Sequence, residues 1–257
     1  MRFIDVHCHL EGDYFGDISG LIAKFDGVGV EKVITCGVHL KSSEQAHKLS
    51  QSFDNVYFTA GFHPTELKDY NELSLNAVAR LADDKKCVAI GEIGLDYHYP
   101  DTDKVLQQQV FIAQLKLAYE LRLPVEIHSR DAAEDTYNIL KENAQLIKYG
   151  ALMHCYSYSK EMSELFEKLG MYFSFGGMST YSGSKRARKS IERISLKKLL
   201  TETDSPYLAP KSQQGVFPNT PLNIPEITAN MAEIKGVCVE EMSDTIWRNA
   251  HELFGKL

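Results

Sequence analysis

Short apolar runs rich in β-branched residues recur along the chain at Phe3–Val6, Val33–Cys36, Val56–Ala60, Cys87–Ile90, Val125–Ile127, Ala151–Met153, Met171–Phe175 and Leu199–Thr203. They have the length of strands and, taken together, look apolar on both faces, the pattern of strands buried in a parallel sheet. Between them the period lengthens to that of a helix. Val105–Leu121 carries Val105, Ile112, Leu115 and Ala118 with Gln and Lys between, and Ser163–Leu169 and Arg186–Ile194 are shorter stretches of the same kind. Strands alternating with helices make β–α units. Eight strands in 257 residues fit an α/β chain folded as a single (β/α)8 TIM barrel. An open doubly wound sheet is the rival, but the G-x-G-x-x-G turn expected after its first strand is missing.

Beyond the eighth run the pattern changes. Ser205–Asn223 holds Pro206, Pro210, Pro218 and Pro221 and reads as a long ordered loop. Helical stretches at Ile224–Ile234 and Val239–Phe254 follow, extra C-terminal helices able to wrap the barrel's outside. No linker or low-complexity tract divides the chain, so residues 1–257 are expected to form one domain.

Composition narrows the function. Hydrophobic residues are 44% and charged residues 25%, ordinary for a water-soluble globular protein. The formal net charge is −7, so bulk attraction to nucleic acid is excluded and phosphate recognition has to be local. Cys8, Cys36, Cys87, Cys155 and Cys238 are odd in number, widely spaced and without a C-x-x-C, which points to reduced thiols rather than a disulfide framework. The first residues lack an apolar signal-peptide core, and no apolar run reaches the roughly 20 residues of a membrane helix. A cytoplasmic protein without a membrane is expected, and no obligate protein partner is implied.

Candidate chemistry clusters at the strand ends. His7, His9, His63, His128 and His154 fall at or just past strands 1, 3, 5 and 6, Glu92 follows strand 4 and Asp204 closes strand 8. In a β/α barrel these positions meet at one mouth. Strand alternation puts Asp5, His7 and His9 on one face and Cys8 on the other. The same alternation is expected to turn Cys155 away from the mouth. Imidazole and carboxylate suit zinc and similar ions. Four imidazoles and two carboxylates, His7, His9, Glu92, His128, His154 and Asp204, exceed the needs of one tetrahedral ion. They suit two divalent ions about 3.5–4 Å apart. His7 and His9 are expected on the first, His128 and His154 on the second and Glu92 between them. Asp204 is expected on the first ion, facing the attacking water, which makes Asp204 and Glu92 the candidate catalytic residues. Zinc, magnesium and manganese all remain open. Among the other histidines, His47 and His251 read as surface residues, and His39 and His98 as loop residues near the mouth.

Several segments carry a family likeness. Asp5-x-His7-x-His9, Gly61-Phe62-His63-Pro64, Gly91-Glu92-Ile93-Gly94-Leu95-Asp96-Tyr97, His128-Ser129-Arg130, His154-Cys155-Tyr156-Ser157 and Glu202-Thr203-Asp204-Ser205-Pro206-Tyr207-Leu208 resemble the TatD family of metal-dependent deoxyribonucleases, in that family's order. Asn249-Ala250-x-x-Leu253-Phe254 is similar too. The resemblance spans essentially the whole chain. It implies a TIM-barrel hydrolase related to the amidohydrolase superfamily, with the same six residues as metal ligands. It also implies metal-dependent cleavage of phosphodiesters in DNA, often from the 3′ end of single strands. The chain departs from the family where a basic Arg-Gly-Lys-Arg-Asn-like stretch gives way to Lys211-Ser212-Gln213-Gln214-Gly215-Val216-Phe217-Pro218-Asn219. Tyr158 stands where a glycine is common.

For such a substrate, Arg130 is a candidate phosphate clamp, and His63 and Tyr97 are candidate donors to phosphate or to the leaving oxygen. Lys185, Arg186, Arg188 and Lys189 make a basic cluster that reads equally well as a solvated helix face. Tyr97, Tyr99, Tyr156 and Tyr158 crowd two loops where bases could stack. The competing activity is hydrolysis of another bond on the same ligands, as an amidase, lactonase or aminoacyl-ester deacylase, since ions polarise carbonyl and phosphoryl oxygens alike.

Overall fold

The computed structural model describes residues 1–11 and 13–257. Eight strands, β1 (Phe3–Cys8), β2 (Val30–Cys36), β3 (Val56–Ala60), β4 (Cys87–Asp96), β5 (Val125–Arg130), β6 (Ala151–Met153), β7 (Tyr172–Phe175) and β8 (Leu199–Thr201), pair in chain order. Every pairing is parallel. The last strand also reaches the first: Thr201 Oγ1 donates to Ile4 O at 3.3 Å, Asp204 N to His7 O at 3.0 Å and His9 N to Ser205 O at 2.6 Å. The sheet therefore curls into a TIM barrel, and the carboxyl ends of its strands share one mouth.

Helices coat the outside. α1 (Ile18–Ile22) and α2 (Phe25–Val28) follow β1, while α3 (Leu40–Ser52), α4 (Glu72–Ala82), α5 (Lys104–Leu121), α6 (Ala133–Glu142), α7 (Lys160–Lys168) and α8 (Lys185–Arg193) follow β2 to β7 in turn. α9 (Ile224–Lys235) and α10 (Val239–Leu253) come after β8. The expected loop 205–223 holds only two short 3-10 turns, Lys211–Gln213 and Pro221–Asn223. No described helix is long and apolar enough to cross a membrane. All five cysteines are free thiols.

β4 and β5 run past their apolar stretches, and two glycines explain how. A Cβ on Gly91 would lie 2.7 Å from Glu126 Cβ, and one on Gly94, at φ +139°, would lie 2.0 Å from His128 O. Only glycine lets the two backbones approach so closely there. The ladder therefore continues through Gly94–His128 to Asp96–Arg130 and carries polar side chains up to the mouth.

Elsewhere, polar side chains tie helices to strands. Buried Gln114 on α5 accepts from Phe62 N at 2.7 Å and donates to Phe62 O at 3.0 Å, fixing the loop that precedes His63. On α10, Asn249 donates to Leu196 O and Leu199 O, both at 2.8 Å. Asn249→Ala leaves those carbonyls without this donor and is expected to cost about 1–3 kcal/mol, a drop of roughly 3–10 °C in a thermal melt.

Candidate active site

His7 stands on β1 and His9 just past its end, with their Nε2 atoms 3.1 Å apart. Asp204 Oδ1 lies 3.5 Å from each of those nitrogens. Across the mouth, His128 Nδ1 on β5 and His154 Nε2 just past β6 are 3.2 Å apart. Glu92 on β4 sits between the two pairs. Its Oε1 is 2.9 Å from His128 Nδ1 and from His154 Nε2, while its Oε2 is 3.7 Å from the Nε2 atoms of His7 and His9. Residues separated by up to two hundred positions are brought together as their strand-end spacing implies.

The far side of each ring is held as well. His7 Nδ1 meets Glu126 Oε1 at 2.7 Å, His9 Nδ1 meets Cys36 O at 2.9 Å and His128 Nε2 meets Asp96 Oδ2 at 3.1 Å. His154 Nδ1 faces Glu202 Oε2 at 3.7 Å, and both that nitrogen and Glu202 Oε1 are buried without a hydrogen-bond partner. Asp5, fully buried, accepts from Thr203 N at 2.9 Å and His7 N at 3.2 Å, pinning β1 to the segment that presents Asp204. Burial pushes its carboxyl up to about 7 against those hydrogen bonds.

Burial opposes a charge on every one of these groups, and the neighbours decide the outcome. His7 is pushed up to about 9 because Glu126 and Glu92 outweigh its desolvation and the repulsion of His154. His9, His128 and His154 are likewise raised over their desolvation, by Asp204 and Glu11, by Asp96 and Glu92, and by Glu92 and Glu202 respectively. Glu92 and Asp204, desolvated yet ringed by imidazoles, are held well below the usual carboxylate range. His63 goes the other way, to about 3, because burial prevails. Its Nδ1 accepts from Thr65 N at 3.2 Å, so its Nε2, 3.5 Å from Glu92 Oε1, carries the proton and points a neutral donor into the mouth.

Metal ions fit this donor set. Ring nitrogens 3.1 and 3.2 Å apart match the roughly 3.3 Å between neighbouring nitrogens on a tetrahedral zinc. Carboxylates and a carbonyl facing the outer ring nitrogens orient imidazoles as ligands. Among the described residues, His7, His9 and Asp204 form one group compact enough to hold an ion, and His63, Glu92 and His128 form another.

Other expected positions divide. Arg130 is exposed and lines a cavity of about 470 Å³ with His128, His154, Asp204 and Tyr207. Tyr97 does not face that cavity: its hydroxyl donates to Asp135 Oδ2 and accepts from Gln108 Nε2, both at 2.8 Å. Tyr156 is buried, and the Tyr158 hydroxyl is bound by Ser129 and Ala132, so of the four tyrosines only Tyr99 stays largely exposed. Cys155, at φ +46°, lines the cavity instead of turning from it. Lys185 and Arg186 are exposed and border a neighbouring cavity of about 510 Å³. His39 caps α3 by accepting from Ser42 N, and His98 pairs with Asp131 at the surface. His47 faces Asp84, and His251 donates to Trp247 O.

Sequence reasoning passed over Glu126, Asp96 and Glu202. A signal existed for two of them, since Glu126 and Glu202 precede His128 and Asp204 by two residues. Glu126→Gln removes the charge behind His7 and is expected to weaken divalent-ion affinity about 10- to 100-fold, read by titration against a chelating dye.

The pattern of the family described as TatD related DNase matches residues 4–255. The chain belongs to the TatD family. It is 35% identical over 252 residues to the "Uncharacterized metal-dependent hydrolase YabD" of Bacillus subtilis, covering 97% of this chain and 98% of that one. It is 30% identical over 256 residues to the "3'-5' ssDNA/RNA exonuclease TatD" of Escherichia coli K12, covering 98% of each. Among solved structures, the TatD homologue YJJV of Escherichia coli K12 superposes with a TM-score of 0.93 at 31% identity, covering 99% of this chain and 98% of that one. The protein is accordingly a metal-dependent hydrolase of the TatD family, built on the barrel that its strand spacing implies.

Proposed function

We propose that the protein hydrolyses phosphodiester bonds in single-stranded nucleic acid, DNA foremost, with two divalent ions at the mouth. The supporting observation is the Glu92 carboxylate, one oxygen on the His128–His154 pair and the other toward His7 and His9. His7, His9 and Asp204 would hold one ion, His128 and His154 the other, and Glu92 both. Ions held there would lower the pKa of a water and neutralise charge on phosphoryl oxygens.

The chain supplies the rest. Asp204, an ionised carboxylate on the open side of the mouth, orients the water and accepts its proton at Oδ. His63, neutral and donating from Nε2, bonds a phosphoryl or leaving oxygen without adding a charge that would repel the ions. Arg130 offers a planar fork to a phosphate from the rim. Family membership and the exonuclease relative favour a nucleic acid over other esters.

Metal-loaded protein should cleave a labelled single-stranded oligonucleotide and leave amide and lactone panels essentially untouched. Robust amide or lactone hydrolysis with an intact oligonucleotide would reassign the site to an amidase, lactonase or deacylase.

A further inference from the structure

The loop after β8 carries aromatic residues to the rim of the mouth. Tyr207, three residues past Asp204, lines the cavity that holds His9, Glu92 and Asp204. Its ring meets Tyr14, from the turn after β1, at 6.1 Å between centroids, and Phe217, from the far end of its own loop, at 6.3 Å. Tyr14 and Phe217 meet edge to face at 5.8 Å, closing a triangle of rings. Tyr207 Oη also donates to Tyr14 Oη at 3.3 Å. All three rings stay open to solvent, Tyr14 at 48%, Tyr207 at 45% and Phe217 at 59% exposure.

One exposed aromatic ring is unremarkable, but three in mutual contact at the lip of a catalytic mouth form an apolar patch. The patch is rigid. Buried Asn219 donates through Nδ2 to Thr203 O at 2.9 Å and to Tyr207 O at 2.6 Å, and its backbone N–H reaches Pro206 O at 2.9 Å. The loop ends are thus clamped and the rings are presented, not folded away.

On the reading that the site cleaves phosphodiesters, we propose that Tyr14, Tyr207 and Phe217 form a stacking platform for an unpaired nucleobase next to the scissile phosphate. A chain of net charge −7 cannot hold a polyanion by bulk attraction. Aromatic faces bind bases with little dependence on charge or sequence. A base paired within a duplex has its faces covered by its neighbours, so the platform selects single strands and frayed ends. It supplies affinity by a route that does not depend on basic side chains.

The test uses the full-length, metal-loaded protein and a short single-stranded oligonucleotide. Phe217→Ala and Tyr14→Ala should each raise KM about tenfold while kcat changes less than about threefold, and Phe217→Trp should keep KM near wild type. Replacing terminal bases one at a time by an abasic analogue should reveal one position whose loss raises the wild-type KM to a similar degree. That loss should add nothing further in Phe217→Ala. If wild type cleaves the oligonucleotide and both alanine variants keep KM within about twofold, the platform is refuted while the phosphodiesterase reading stands. A KM penalty in Phe217→Ala that simply adds to every abasic penalty also refutes it, as does a change in sedimentation showing that the patch joins copies of this chain. If wild type leaves the oligonucleotide intact but hydrolyses amides or lactones, the phosphodiesterase reading fails first and the platform falls with it.

Discussion

Asp204→Asn is expected to lower kcat on a single-stranded oligonucleotide by about a thousandfold, with the thermal melt of the metal-free protein nearly unchanged. The side chain is the open-sided carboxylate of the cluster, and its Oδ1 lies 3.5 Å from the Nε2 atoms of both His7 and His9. Asparagine keeps the shape but cannot accept a proton from water, so loss should fall on kcat and leave KM within a few-fold. Folding is insulated because the surrounding segment is held by its backbone, with Asp204 N on His7 O, and by Asp5 on Thr203. Glu92→Gln should be at least as damaging, since it removes the charge facing both histidine pairs. More than a few per cent of wild-type kcat in Asp204→Asn would remove Asp204 as the base.

Chelation is the second large effect. EDTA should abolish activity, and zinc, manganese or magnesium should restore it. The metal-free site makes the uptake pH-dependent in a definite direction. His7 is raised to about 9, and His9, His128 and His154 are raised as well, so below that range the rings hold protons that an ion has to displace. Affinity should therefore climb as pH rises from about 6 toward 9, and loading at neutral pH should release protons. Calorimetry in buffers of different ionisation enthalpy counts them. An affinity that is flat across that interval, with no proton release, would mean that the ions bind elsewhere.

The barrel and the cluster of histidines and carboxylates at its mouth were legible because both rest on local regularities. Runs such as Val56–Ala60 and Ala151–Met153 are strands from end to end, since a short apolar segment between helical stretches is buried best in a sheet interior. The histidines and carboxylates were legible because strand ends in a barrel converge. The illegible parts depend on pairwise approach. β4 runs on to Asp96 because Gly91 and Gly94 admit Glu126 and His128 of β5, and a glycine in isolation reads as a break. Tyr97 reads by position as a substrate contact, but it turns to Asp135 on α6, a choice set by the helix packed behind it. Tyr14 stands 193 positions before Tyr207, whose loop also carries Phe217, and no periodicity announces their shared surface.

Anomalous diffraction from crystals soaked in manganese tests the centre of this account most directly. The expected map has two peaks at the mouth, one beside His7, His9 and Asp204, one beside His128 and His154, with Glu92 between them. A map with no peak there, or with its only strong peak remote from Glu92, would contradict it.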